Sequence, residues 1–170
     1  MIPEENKEIE ANYKRYILER PHIVILGAGA TMAAIPNGDK NGKRCSVMKG
    51  FIENMGLSDL LKRVTVNTDS DNLEEILSEL ESRPECQRLV TELENRIISN
   101  FSEFEIPDEL TVYDYLLLSL RSKDYIFSFN WDDLILQAYQ RAWEITHDLP
   151  QLVFLHGNIG VGRCPSCNAV

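Results

Sequence analysis

Three short apolar runs, far apart in the chain, constrain its fold more than any other feature. The first is His22-Ile23-Val24-Ile25-Leu26, which leads directly into Gly27-Ala28-Gly29-Ala30-Thr31. About a hundred residues later comes Tyr125-Ile126-Phe127-Ser128-Phe129, followed by Asn130-Trp131-Asp132-Asp133. The third, Leu152-Val153-Phe154-Leu155, is followed by His156-Gly157-Asn158. Short runs rich in β-branched and aromatic side chains suit buried strands, and each of these ends in residues able to bind or react. In an open parallel sheet, ligands collect at the C-terminal ends of the strands. The expectation is therefore one sheet carrying one site, assembled from three distant segments.

The spacing dictates what lies between. A strand–helix–strand unit needs roughly 30 residues, so the first interval has room for much more than one crossover helix. Helical periodicity fills it: Asp71 or Asn72 caps a segment with Leu73, Ile76, Leu77 and Leu80 on one face, and Leu89, Leu93, Ile97, Ile98 and Phe101 continue the period. Thr111 then precedes an apolar segment, Val112 to Leu120, and Asp132–Trp143 reads as a helix after the second strand. These patterns predict an α/β fold, a Rossmann-like parallel sheet that is incomplete in this chain, with a large helical insertion between the first two strands. Residues 1–20 hold an N-terminal helix marked by Ile9, Tyr13, Tyr16 and Ile17; 21–45 and 120–163 form the sheet-bearing part; 46–119 are the helical module, helical throughout. The stretch Ile35 to Gly42 is dense in turn residues and reads as a mobile loop.

Charge narrows the function classes. A net charge of −10 over 170 residues argues against a sequence-independent grip on nucleic acid, which needs basic surface to release counterions. Most of the acidity falls between Asp69 and Glu109, and the one basic cluster near a motif is Lys40, Lys43 and Arg44. No apolar stretch is long enough to span a bilayer, and the acidic, polar start is no signal peptide, so a cytoplasmic location is the default. Cys45 and Cys86 stand alone. Cys164 and Cys167, in Cys-Pro-Ser-Cys, have the spacing of a metal knuckle, yet structural zinc needs four ligands. Residues 164–170 thus read as the start of a zinc knuckle with its second half downstream, and the chain as the N-terminal portion of a larger protein.

Each strand end has a chemical reading. Gly27-Ala28-Gly29, after a strand and opening a helix, is the arrangement that receives a diphosphate, because glycine admits close backbone approach and the helix start offers free amides. Met32 stands where a dehydrogenase fingerprint has its third glycine, so a nucleotide loop is favoured over a standard dehydrogenase. Asn130 and Asp132, just past the second strand, either orient a ligand's polar groups or cap the following helix. His156 ends the third strand beside a glycine that leaves room for a ligand, and an imidazole suits proton transfer from a sugar hydroxyl. His22 and His147 read as structural.

Taken in order, Gly27-Ala28-Gly29-Ala30-Thr31, Ala34-Ile35-Pro36, Phe129-Asn130-Trp131-Asp132, His156-Gly157 and Cys164-x-x-Cys167 resemble the sirtuin family of NAD-dependent enzymes. The resemblance implies that Gly27, Ala28, Gly29 and Thr31 hold the NAD diphosphate and neighbouring ribose. It implies that Ile35 and Pro36 open a flexible cofactor-binding loop whose cation is Arg44 or Lys43. Asn130 and Asp132 would order the nicotinamide ribose and carboxamide pocket, and His156 would be the general base acting on a ribose hydroxyl. Two departures matter: Phe129 replaces the Gln that deacetylases place before the Asn, and Asn37-Gly38-Asp39-Lys40 replaces the acidic residue, Phe and Arg that follow Ile-Pro. Both point toward the divergent prokaryotic sirtuin-like domains that hydrolyse NAD in antiviral defence, commonly fused to or partnered with other modules or assembled as homo-oligomers. The alternatives are an NAD-dependent protein deacylase with a zinc module completed downstream, and a non-catalytic NAD or ADP-ribose-binding module.

Overall fold

The computed structural model describes residues 4–15, 19–45 and 50–162. The expected half-site Cys164 and Cys167, and Tyr16 and Ile17 of the N-terminal helix, lie outside the described residues. The fold is α/β. Strands β1 (Ile23–Leu26), β2 (Tyr125–Ser128) and β3 (Gln151–Phe154) form a parallel sheet in the order β1-β2-β3. Their register places Val24, Ile126 and Leu152 in one cross-strand row and Leu26, Ser128 and Phe154 in another. Because side chains alternate along a strand, these rows share one face, and helices cover it. Leu26, Ile126 and Ser128 are buried there.

The other face is bare among the described residues. Ile23 and Ile25 are 64% and 69% exposed. The strand read as buried is therefore covered on one side only, and it starts at Ile23 instead of His22. His22 is held differently: its backbone N–H donates to Asp124 Oδ1 at 2.7 Å, and its Nδ1 lies 3.0 Å from the same oxygen.

Helix α1 (Glu4–Tyr13) precedes β1, and α2 (Ala28–Ala34) follows it directly. Between α2 and β2 lie α3 (Phe51–Asn54), α4 (Ser58–Leu61), α5 (Leu73–Glu81), a short 3-10 turn at Pro84–Cys86, α6 (Gln87–Phe101) and α7 (Val112–Ser119). Helix α8 (Leu134–Trp143) joins β2 to β3. Leu73, Ile76 and Leu80 of α5 and Val90, Leu93, Ile97 and Phe101 of α6 are buried at helical spacing. Asn72 caps α5, its Oδ1 accepting the Glu74 N–H at 2.9 Å. Thr111 and Asp114 form a capping box on α7.

The 46–119 module is not helical throughout: residues 65–72 and 102–111 are irregular. In the first, Thr68 and Ser70 hydroxyls accept the N–H groups of Ser70 and Asn72, local bonds that compete with a helix. The second contains Pro107, which has no N–H to donate.

The turn-rich stretch 35–42, read as mobile, is tethered. The buried Asp39 accepts the N–H of Asn41 (2.9 Å) and Lys43 (2.7 Å) on Oδ1 and that of Glu105 (3.1 Å) on Oδ2. Gly38 has φ +103°, and a Cβ there would lie 2.7 Å from the Gly42 backbone, so the tight return admits only glycine. Lys40 pairs with Asp108 at 2.8 Å and Lys43 with Glu103 at 2.9 Å, binding the loop to the segment before α7.

Candidate functional site at the strand ends

The C-terminal ends of β1 and β2 meet in a buried polar cluster. The Thr31 side chain comes from α2, Tyr113 from the first turn of α7, and Asn130 and Asp132 from the turn after β2. The Thr31 hydroxyl donates to Asp132 Oδ2 at 2.8 Å and accepts from Asn130 Nδ2 at 2.7 Å. The Tyr113 hydroxyl lies 2.9 Å from Thr31 Oγ1 and 3.4 Å from Asn130 Nδ2. Thr31, Tyr113, Asn130 and Asp132 are all buried.

Asp132 also serves α8, its Oδ1 accepting the Leu134 N–H at 3.2 Å, whereas the Asn130 side chain caps nothing. Burial pushes the Asp132 carboxyl above the usual carboxylate range, against the bonds from Thr31 and Leu134 that favour its charge. Burial first, and then the nearby Asp132 charge, also push the Tyr113 phenol up.

Above the cluster is a cavity of about 160 Å³. Its walls are aromatic, from Phe51, Phe101, Phe129 and Trp131, and its polar groups include Asn130, Asp132 and Glu74. Trp131 packs edge-on against Phe51 and Phe101, with ring centroids 6.0 and 6.3 Å apart, so the helical module supplies half of the wall. Ala28 lines the same cavity. A Cβ added at Gly27 or Gly29 would meet no atom within 4 Å, so both glycines face open space.

His156 does not line this cavity. It borders an adjoining cleft of about 470 Å³ with Leu77, Ile97 and Trp131. Two side chains link the spaces. Phe129 lies edge-on to His156 at 5.1 Å, and Glu74, a wall of the cavity, places Oε1 3.1 Å from His156 Nδ1. A carboxylate only accepts, so Nδ1 carries a hydrogen, and in the neutral ring the lone pair is on Nε2.

The remaining predicted residues are elsewhere. Ile35, which is buried, and Pro36 line a third groove, of about 540 Å³, with Pro107 and Thr111. Arg44 is exposed and makes no ion pair with another described residue. Lys43, the other candidate cation, is engaged by Glu103. Sequence reasoning missed Tyr113 and Glu74. Tyr113 sits in an apolar helix and reads as core, and Glu74 two residues after a capping Asn reads as a first-turn acid.

No protein-family model matches this sequence, and no curated protein matches it. Among the described residues, no group of three or more His, Cys, Asp or Glu side chains could hold a metal ion. No described helix is long and apolar enough to cross a membrane.

Proposed function

We propose that this chain is a sirtuin-like, Rossmann-type NAD+ hydrolase domain that cleaves the nicotinamide–ribose bond, working in the cytoplasm in prokaryotic antiviral defence with fused or partner modules or as a homo-oligomer. The observation that carries the reading is the composition of the cavity at the strand ends: four aromatic walls, two carboxylates and a fixed amide, with no Lys or Arg among its described lining residues. Nicotinamide in NAD+ is a cationic aromatic ring bearing a carboxamide. Aromatic faces and carboxylates attract such a ring, and Asn130 offers it or its ribose a hydrogen bond. The diphosphate, which these acids would repel, belongs at the open turn Gly27–Gly29.

In this reading the C1′–nitrogen bond breaks with its electron pair leaving on nicotinamide. The resulting oxocarbenium-like carbon is stabilised by the acidic, preorganised wall. A water oxygen then bonds to C1′, giving ADP-ribose, and its proton passes to His156 Nε2, whose tautomer Glu74 holds.

The test is chromatographic release of nicotinamide and ADP-ribose from NAD+ without any acylated peptide. The expected result is turnover by the intact protein, reduced by roughly 100-fold or more in Asn130→Ala and in His156→Ala. Equal, background-level release by all three proteins would overturn the reading. Release only on adding an acylated peptide would replace hydrolysis with deacylation.

A further inference from the structure

Asn130 is the amide on which the proposed chemistry depends, and an amide has two opposite faces to offer: an oxygen that accepts and an NH2 that donates. The surrounding bonds select one. Thr31 has a single hydroxyl proton, and the Asp132 carboxylate 2.8 Å away can only accept it. The lone pairs of Thr31 Oγ1 therefore receive hydrogens from Asn130 Nδ2 at 2.7 Å and from the Tyr113 hydroxyl at 2.9 Å. The Tyr113 oxygen, having given its proton to Thr31, lies 3.4 Å from Asn130 Nδ2, where it shares the amide hydrogen directed at Thr31. Turning the amide over would set its oxygen 2.7 Å from Thr31 Oγ1, whose one proton is held by Asp132.

Asn130 Oδ1 has no partner among the described residues, yet no buried side-chain polar atom among them is unpaired. Asn130 lines the cavity, so the atom these bonds leave over is the one it can offer to a ligand there.

We propose that Tyr113 is a positioning residue: its hydroxyl locks Thr31 and the Asn130 amide so that Asn130 presents its carbonyl oxygen to the cavity, as the acceptor for a hydrogen-bond donor on the ligand. The scaffold for this is rigid. The Tyr113 ring is 2% exposed. The adjacent Asp114 clamps α7 to α8 through Arg141, with Nη2–Oδ2 at 2.6 Å and Nε–Oδ1 at 2.9 Å. The phenol oxygen has no hydrogen-bond partner among the described residues other than Thr31 and Asn130. Packing thus explains the ring, and only the cluster explains the hydroxyl.

Tyr113→Phe removes that hydroxyl and keeps the ring. The kinetic arm of the test rests on the NAD-cleavage reading; the spectroscopic arm does not. In the first, kcat falls about tenfold, the loss of one hydrogen bond's worth of orientation, while KM for NAD+ changes by less than about twofold. A Tyr113→Phe enzyme with unchanged kcat overturns the proposal. In the second, the Asn130 side-chain NH2 signals, assigned by their loss in Asn130→Asp, are followed by proton–nitrogen correlation spectra. They shift and exchange faster with solvent in Tyr113→Phe if the lock is real. Unchanged signals overturn it whether or not the protein cleaves NAD+. An intact protein without NAD+ turnover, but with shifted amide signals in the variant, would sink the proposed function and leave the lock standing.

Discussion

Two buried carboxylates in this protein are driven in opposite directions by their neighbours. Burial works against charge at Asp114, but the Arg141 guanidinium and the Thr111 N–H and O–H outweigh it, so its pKa lies below the usual range. At Asp132, burial prevails over its bonds and the pKa is raised. The linkage follows from the signs. Asp114 contributes stability above the unfolded-state value, near pH 4, which is lost as pH falls through the lower folded value; Asp132 costs stability as pH rises past 4. Asp114→Asn is thus expected to destabilise the fold by roughly 1–3 kcal/mol at pH 7. In urea melts the gap from the parent protein should close on acidification below about pH 4; a gap independent of pH would contradict the account. At this scale the sequence exposes some roles and hides others. Thr31, Asn130 and Asp132 announce themselves by following strands, where polar residues are conspicuous. Tyr113 and Glu74 do not, because an aromatic residue in an apolar helix and an acid in a helix's first turn have ordinary structural explanations.

Among the elements, the segment from Ile35 to Gly42 departs furthest from its sequence reading. Asn, Gly and Asp there signal turns, and turns read as loose. What the pattern cannot reveal is that the carboxylate of Asp39 folds inward to bind Glu105, sixty-six residues on. A long-range anchor leaves no local periodicity. Asp39→Ala removes three acceptor contacts at once. Hydrogen exchange at the amides of Asn41, Lys43 and Glu105 should then accelerate by about tenfold or more while α6 and α8 keep their protection. Unchanged exchange at those three amides would show that the tether contributes nothing. The helices are more legible than the loop: α5 and the Leu93, Ile97 and Phe101 face of α6 follow the sequence period, although Val90 is buried and Ile98 is exposed, and Asn72, one of two candidate caps, holds the start of α5. The break at 102–111 is hidden by the apolar Phe104, Ile106 and Leu110, whereas 65–72 holds only Val66 among Asn, Asp and Ser, a turn signal that the helical reading passed over.

For the whole molecule, the decisive feature is a parallel sheet that, among the described residues, carries helices on one face. Parallel sheets are ordinarily covered on both, and here Ile23 and Ile25 stand exposed beside the stacked rings of Tyr125 and Phe127, centroids 6.1 Å apart. The three strand segments could be read from their β-branched runs, and their parallel direction from the helical intervals between them. The bare face could not, since a strand of Ile-Val-Ile-Leu carries no polar alternation to say which side meets water. The polar ends of β1 and β2 converge, with Thr31, Asn130 and Asp132 in one cluster, whereas His156 at the end of β3 lies outside it, across Phe129. The claim that this edge is a nucleotide site is tested most directly by titrating ADP-ribose into the isotope-labelled protein and mapping the backbone amide shifts. The account predicts saturable shifts concentrated at residues 27–31, 128–132 and 154–158. Shifts absent at saturating ligand, or confined to residues remote from those three strand ends, would contradict it.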